Sequence, residues 1–335
     1  MKGKLVFVAL IVAASAILTS CTPSSGSGGE SASGEATAMN GFQTVAAAEG
    51  CFIAAGTGGK IARLDYDNSQ MSFGSDVAAD LYAVTYYNGM YLAVGERGAI
   101  TASDADAVEF ASRDSGVKAD LYAVAGFAGR FFAAGAGGTL LSSDDCVRWE
   151  KMDIGLENDI VTMAANHSYL FALTREGHII SSIDGANFSV QDYNTEFEGY
   201  NEHKYWFENI TSLGETFFIT GSIQGYEDVP MVMMSPTGEV WMPRAISEID
   251  DRPSSEFLPL HLGQVGLGGG QLVAPVNGGR LISITDCSSC NVMHRIGSNE
   301  IYSLAYTADW VALAGQDFWF EVIETERLEI EEESE

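Results

Sequence analysis

Apolar and polar residues alternate in short bursts along most of this chain, and the bursts recur. Leu81-Tyr-Ala-Val84, Leu121-Tyr-Ala-Val124 and Ile301-Tyr-Ser-Leu304 are copies of one strand-like segment. Each precedes a turn and a second apolar run ending in glycine: Tyr91-Leu-Ala-Val-Gly95, Phe131-Phe-Ala-Ala-Gly135 and Trp310-Val-Ala-Leu-Ala-Gly315. Phe52-Ile-Ala-Ala-Gly56 and Phe217-Phe-Ile-Thr-Gly221 are the same run, and Leu170-Phe-Ala-Leu-Thr174 and Leu272-Val-Ala-Pro275 fit with the glycine replaced. The runs end at positions 56, 95, 135, 174, 221, 275 and 315. A glycine three residues on (Gly59, Gly98, Gly138, Gly177, Gly278) opens a third strand, and an aromatic (Phe73, Phe110, Trp149, Phe188, Trp241) starts a fourth. Asn88-Gly89 is a two-residue hairpin turn between the first two.

Each unit is therefore predicted to be four short antiparallel strands. One such sheet cannot bury both faces alone, whereas radial stacking covers the faces and hides the edges. The expected fold is all-β: a seven-bladed β-propeller of four-stranded blades over residues 41–330, with an acidic tail at 331–335. A β-sandwich or open β-array is the alternative, and the regular period argues against it. Two segments could complete the last blade: Arg327-Leu-Glu-Ile330 or residues from the N-terminal side.

The residues before the fourth strand carry a resemblance. Ser182-Ile-Asp-Gly-Ala-Asn-Phe188 and Ser235-Pro-Thr-Gly-Glu-Val-Trp241 follow S-x-[D/T]-G-x-x-[W/F], and Ser143-Asp-Asp-Cys-Val-Arg-Trp149 follows it with cysteine for glycine. These segments resemble the Asp-box (BNR-type) repeats of sialidase-like propellers and the shorter repeat of photosystem II assembly-factor propellers. The resemblance implies a propeller and says nothing of activity. In it the acidic residue caps a tight turn, the glycine takes positive φ and the aromatic packs between blades.

Ahead of the repeats lies a different kind of segment. Lys2 and Lys4 precede a nearly unbroken apolar run from Leu5 to Leu18, short for a membrane span and suited to a secretory signal. Leu18-Thr-Ser-Cys21 resembles the lipobox of bacterial lipoproteins, which implies cleavage before Cys21 and a diacylglycerol thioether on it. An ordinary secretory signal with a chance cysteine is the alternative. The expected organisation is a signal peptide at 1–20 and a lipidated Cys21 heading a Ser/Gly-rich tether at 21–40, spanning roughly 25 Å. That predicts a lipid-anchored, extracytoplasmic protein. Thr22 after the cysteine favours the outer membrane by resemblance to Gram-negative sorting.

Charge narrows the function classes. The chain has 17 basic and 46 acidic residues. Without Lys2 and Lys4 the balance is −31. Such a surface repels phosphate backbones, which excludes nucleic acid as a partner. It also argues against carrying over the basic arginine patch that the photosystem assembly family uses. The five histidines show no metal-binding spacing, no arginine cluster suits a sialidase-type hydrolase, and Asp65-Tyr-Asp-Asn68 and Asp104-Ala-Asp106 lack the spacing of a calcium loop. No catalytic residue, metal or cofactor is expected. Cys287-Ser-Ser-Cys290 is read as a local disulfide, with Cys51 and Cys146 as buried or unpaired thiols.

The expected function is a non-enzymatic binding or scaffold propeller of the cell envelope, recognising a protein or envelope polymer; a sialidase-like glycan-binding or glycan-hydrolysing protein is the alternative. The working face is expected to carry the blade-to-blade connections. Long insertions there bring aromatic and basic residues, and Phe197, Tyr200, His203, Tyr205, Trp206, Tyr226, Arg252 and Phe257 are the candidate partner contacts.

Overall fold

The computed structural model of the chain describes residues 14–15, 40–48, 50–66, 70–104, 109–196, 204–224, 229–246, 248–249, 252–253, 262–263, 265–268, 271–276, 280–284, 289–295 and 300–325. The recurring apolar runs are antiparallel strands. The first blade is Phe42–Ala48, Cys51–Gly56, Lys60–Asp65 and Gln70–Gly74, hydrogen-bonded in that order from the inside out. The second (Leu81–Tyr87, Met90–Gly95, Ile100–Asp104, Ala111–Arg113) and third (Leu121–Phe127, Arg130–Gly135, Thr139–Ser143, Glu150–Met152) repeat it. So do the fourth (Ile160–Ala165, Leu170–Thr174, His178–Ser182, Ser189–Asp192) and fifth (Lys204–Leu213, Thr216–Gln224, Val229–Ser235, Met242–Ala245). The sixth comprises Gly266–Gly268, Gln271–Val276, Arg280–Ile284 and Ser289–Arg295, with Glu248–Ile249 and Arg252–Pro253 added outside. Of the predicted signal segment, only Ala14–Ser15 is described, paired with Leu81–Tyr87.

The expectation of seven blades is corrected here. Six sheets have the four strands of a blade. Among the described residues, the C-terminal repeat makes only a three-stranded sheet of Ile301–Tyr306, Trp310–Gly315 and Phe320–Glu324. The reason is that the sequence marker follows the second strand, not the fourth. Every second-strand glycine lies where that strand crosses the connection into its own sheet. A Cβ on Gly56, Gly95, Gly135, Gly221 or Gly315 would sit 1.8–2.0 Å from a backbone oxygen of that connection. Trp310–Gly315 keeps this crossing, so it carries the marker although no fourth strand follows it among the described residues. The candidate fourth strand at 327–330 lies outside the described residues. The residues just ahead of the first blade meet this sheet at its turn: Gly41 bridges Gln316, and Asp317 N–H donates to Asn40 O at 2.9 Å.

The core is a set of seams between neighbouring sheets. Phe132, Ala134 and Leu140 of the third blade pack with Met163, Leu170 and Ile180 of the fourth. The C-terminal sheet packs on the sixth blade through Leu304 and Leu313 against Val273 and Leu281. On its other side, Ala312 and Phe320 meet Phe42 and Phe52 of the first blade. Each buried Phe or Leu side chain contributes roughly 1.5–3 kcal/mol, so a seam of several holds neighbouring sheets together.

The turns obey the sequence. Asn88 (φ 48°) and Gly89 (φ 76°) both take the left-handed conformation that a two-residue hairpin of the right twist requires. Between third and fourth strands, Asp184 Oδ1 accepts the Ala186 and Asn187 N–H groups at 2.8 Å each, and Ser182 Oγ accepts Gly185 N–H at 2.9 Å. Asp145 repeats this with Val147 and Arg148 at 2.8 and 2.9 Å. The aromatic that follows crosses the seam: Phe188 lies edge-on to Phe132 of the third blade at 6.1 Å, and Trp241 edge-on to Phe171 of the fourth at 5.6 Å.

Candidate functional site

Strand polarity sorts the loops. The turn between second and third strands and the connection into the next sheet's inner strand share one face; the other two turns share the opposite face. The innermost strands of neighbouring sheets contact one another around the axis, so the first face surrounds one mouth of the central channel.

One device recurs at this mouth. The residue before each of three inner strands is aspartate, and its Oδ1 accepts the central N–H of the preceding blade's turn: Asp80 from Gly58 at 2.8 Å, Asp120 from Arg97 at 2.7 Å, Asp159 from Gly137 at 2.8 Å. Those turn residues have φ of 66°, 55° and 62°. The inner strand then skips one residue in its pairing register, at Gln43, Tyr82, Tyr122, Val161, Glu208 and Tyr302. A bulge of this kind re-aims a side chain without disturbing the ladder beyond it.

Three of these positions are half-buried tyrosines. Tyr82 and Tyr122 touch across adjacent blades, with ring centroids 5.9 Å apart. Burial first, and then the carboxylates of Asp120, Asp80 and Glu96, push the Tyr82 phenol up to about 12. Burial, Asp120 and Asp159 push Tyr122 up, with Arg175 acting against them. Burial, Glu300 and Asp317 do the same to Tyr302. Each phenol thus feels negative charge from the connection ahead of its own strand: Asp80, Asp120 and Glu300. At these tyrosines ring faces lie beside carboxylates, a pairing suited to cationic groups, and Lys60, Arg97 and Arg175 stand on the same face.

The candidates read from the sequence fall in different places. Tyr205 is buried, 8 % exposed, with its ring edge-on to Tyr193 at 5.2 Å inside the seam between the fourth and fifth blades. Trp206 is half-buried at the mouth, and the Arg175 guanidinium lies over its ring at 5.8 Å. Asn194 joins these elements: its amide donates to Glu176 O at 2.7 Å and Tyr205 O at 3.1 Å and accepts Tyr205 N–H at 2.8 Å. Arg252 belongs to the added strand on the outer edge of the sixth blade. Cys290 belongs to the strand Ser289–Arg295. Cys21, Phe197, Tyr200, His203, Tyr226, Phe257 and Cys287 lie outside the described residues. Cys51 and Cys146 are buried free thiols. Burial pushes Cys146 up to about 12, and burial raises Cys51 despite its 3.4 Å contact with Tyr91 Oη. Among the described residues, no group of three His, Cys, Asp or Glu side chains is arranged to hold a metal ion.

Tyr82, Tyr122 and Tyr302 were not singled out from the sequence. Their signal was present in the repeats Leu-Tyr-Ala, Leu-Tyr-Ala and Ile-Tyr-Ser, where tyrosine served only to align the copies.

No protein-family model matches the sequence, and no curated protein matches it. Solved structures do. The chain is similar to the Pan2 WD40 domain of Neurospora crassa (TM-score 0.64, 11% identity, covering 85% of this chain and 89% of that one). It is similar to YCF48 from Cyanidioschyzon merolae (TM-score 0.62, 10% identity, 86% and 97%) and to YCF48 bound to D1 peptide (TM-score 0.60, 10% identity, 81% and 87%). At these identities the likeness is one of fold: a β-propeller.

Proposed function

We propose that this protein is a non-enzymatic binding or scaffold propeller whose working face is the channel mouth, and that its partner is a protein presenting lysine or arginine side chains there. The observation that carries the reading is the Tyr82–Tyr122 pair at 5.9 Å, with Tyr302 at the equivalent position of the C-terminal sheet, set beside Asp80, Asp120, Asp159, Glu96, Glu300 and Asp317. Tyrosine is among the residue types that dominate protein recognition, and carboxylates steer a cationic partner toward it. A structural neighbour solved with a bound peptide, YCF48 with D1 peptide, is in keeping with a propeller that holds a polypeptide. The anchor belongs to the same proposal: Cys21 carries lipid, and residues 21–40 tether the propeller to the outer side of a membrane.

The test replaces Tyr82 and Tyr122 with Ala and separately Cys21 with Ser. Partners are cross-linked in native membranes and identified by mass spectrometry. The double variant is expected to lose cross-links to lysine-rich segments while staying folded and membrane-bound; unchanged cross-linking removes the mouth from consideration. The Cys21→Ser protein is expected in the soluble fraction, and its persistence in salt-washed membranes refutes the anchor.

A further inference from the structure

The exposed large apolar side chains among the described residues are gathered on one sector. Val147, Ile183 and Val240 are 55, 72 and 67 % exposed, and Val190 and Met242 follow at 39 and 40 %. All five lie on the turns between third and fourth strands, or on the fourth strands themselves, in blades three to five. Those turns are on the face opposite the channel mouth.

The rim is notched there. A cavity of about 470 Å³ lies between the outer strand Glu150–Met152, with Asp153 and Ile154, and residues 186–188 of blade four. Met152, Ile154 and Phe188 pack their inner sides on the seam core. Arg130 also lines the notch. It is fixed by bonds to Asp144 Oδ1 at 2.7 Å and Ser142 Oγ at 3.0 Å, and it lies over Phe132 at 5.9 Å. Glu150–Met152 pairs with Thr139–Ser143 on its inner side, and no strand pairs with its outer edge among the described residues.

The chain itself shows that such an edge accepts a strand. In the sixth blade, Glu248–Ile249 lies parallel to the outer strand, Glu248 opposite Ser289 and Ile249 opposite Cys290. In the fifth blade the outer strand carries Pro243, which has no N–H to offer. The third blade has no such block and has a notch beside it, the combination by which an added strand gains affinity from backbone bonds and specificity from a side-chain pocket.

We propose that the outer edge of the third blade docks an extended segment of a protein partner, which pairs along Glu150–Met152 and sets its side chains against the notch. Charge defines the segment. Arg148, Glu150, Lys151 and Asp153 alternate in sign along this edge, and neither Arg148 nor Lys151 makes an ion pair among the described residues. The complementary segment carries charges of both signs. A second copy of this chain fits poorly, because two molecules of net charge −29 repel. A lipid surface also fits poorly, because Asp144, Asp145, Asp184 and Glu239 are exposed among the aliphatic tips.

The probe is the synthetic peptide acetyl-Thr-Lys-Glu-Val-Lys-Glu-Thr-amide, added to the full chain and followed by amide hydrogen exchange with mass spectrometry. Exchange is expected to slow at 150–152 and 186–190 with saturation. The exposed substitutions Lys151→Glu and Val147→Ser together are expected to weaken binding by about tenfold, with unaltered protection of the inner strands showing that the fold is intact. No protection at 150–152, equal binding by the double variant, or protection at the channel mouth instead overturns the proposal. So does protection of this edge by protein concentration alone, which assigns it to a second copy. So does vesicle binding lost with Val147→Ser on phosphatidylethanolamine–phosphatidylglycerol vesicles, which assigns it to a membrane.

Discussion

Substituting Gly135 with Ala isolates the contact that organises the repeat. The φ of Gly135 is −177°, extended backbone that alanine adopts without strain, so the cost is steric. An added Cβ would lie 1.8 Å from the Asp120 carbonyl oxygen and 2.8 Å from its carbon and from Leu121 Cα. All three atoms are backbone, so no side chain can swing away. The connection must retreat by more than an ångström. That breaks the Ala136 N–H bond to Asp120 O at 2.9 Å and disturbs the Arg97 N–H bond to Asp120 Oδ1 at 2.7 Å. Overpacking costs about 1–3 kcal/mol and each lost hydrogen bond about 1 kcal/mol, so the sum is about 2–5 kcal/mol. At about 2–4 °C per kcal/mol for a domain of this size, the thermal midpoint falls by at least several degrees. Gly129→Ala is the control. Gly129 has φ 81° and no atom within 4 Å of the added Cβ, so only backbone strain of about 1–2 kcal/mol applies. Urea unfolding followed by circular dichroism measures both. A Gly135→Ala protein no less stable than Gly129→Ala refutes the crossing as the cause of the glycine marker.

Three further outcomes follow from the titrating groups. Backbone and side-chain N–H donors hold the Asp184 carboxyl well below the usual carboxylate range, and backbone N–H donors lower Asp145. Their stabilisation is present above the unfolded value of 3.8 and is lost as pH falls through the lower folded values; Asp184→Asn is expected to flatten the acid limb of a stability–pH curve, and an unchanged limb refutes the capping role. Tyr82 acts in the opposite sense. Its contribution is intact below the unfolded value of 10.0 and is lost as pH rises toward about 12, so Tyr82→Phe is expected to soften alkaline unfolding. Cys51 and Cys146, buried and with raised thiol pKa values, are expected to react with a thiol reagent only on unfolding; prompt labelling of the native protein contradicts their placement.

What the sequence showed and what it hid have separable causes. The first two strands of each unit were legible because close backbone contacts dictate glycine and the seams dictate alternating small and large apolar residues. The number of complete blades was not, because those constraints act at the second strand and are indifferent to a fourth. Tyr205 drew notice as one of a cluster of loop aromatics, yet it lies in the ten-residue strand Lys204–Leu213, where Tyr205, Phe207 and Asn209 are buried at alternate positions and Trp206 is not. A period of two was there to be read, but the neighbouring aromatics masked it.

The mouth tyrosines were hidden for a different reason. At the bulge of each inner strand the residues on either side are fixed by the seams: Leu81 and Ala83, Leu121 and Ala123, Ile301 and Ser303 are all fully or almost fully buried. The skipped residue between them lies outside the pairing register. It is Gln43, Tyr82, Tyr122, Val161, Glu208 and Tyr302 around the ring. Tyr82, Tyr122, Glu208 and Tyr302 are half-buried there, whereas Gln43 and Val161 are buried. In this chain the tyrosines that open onto the mouth coincide with the marker of the repeat itself, Leu-Tyr-Ala or Ile-Tyr-Ser, so a reading that aligns the copies on them takes them for part of the ladder.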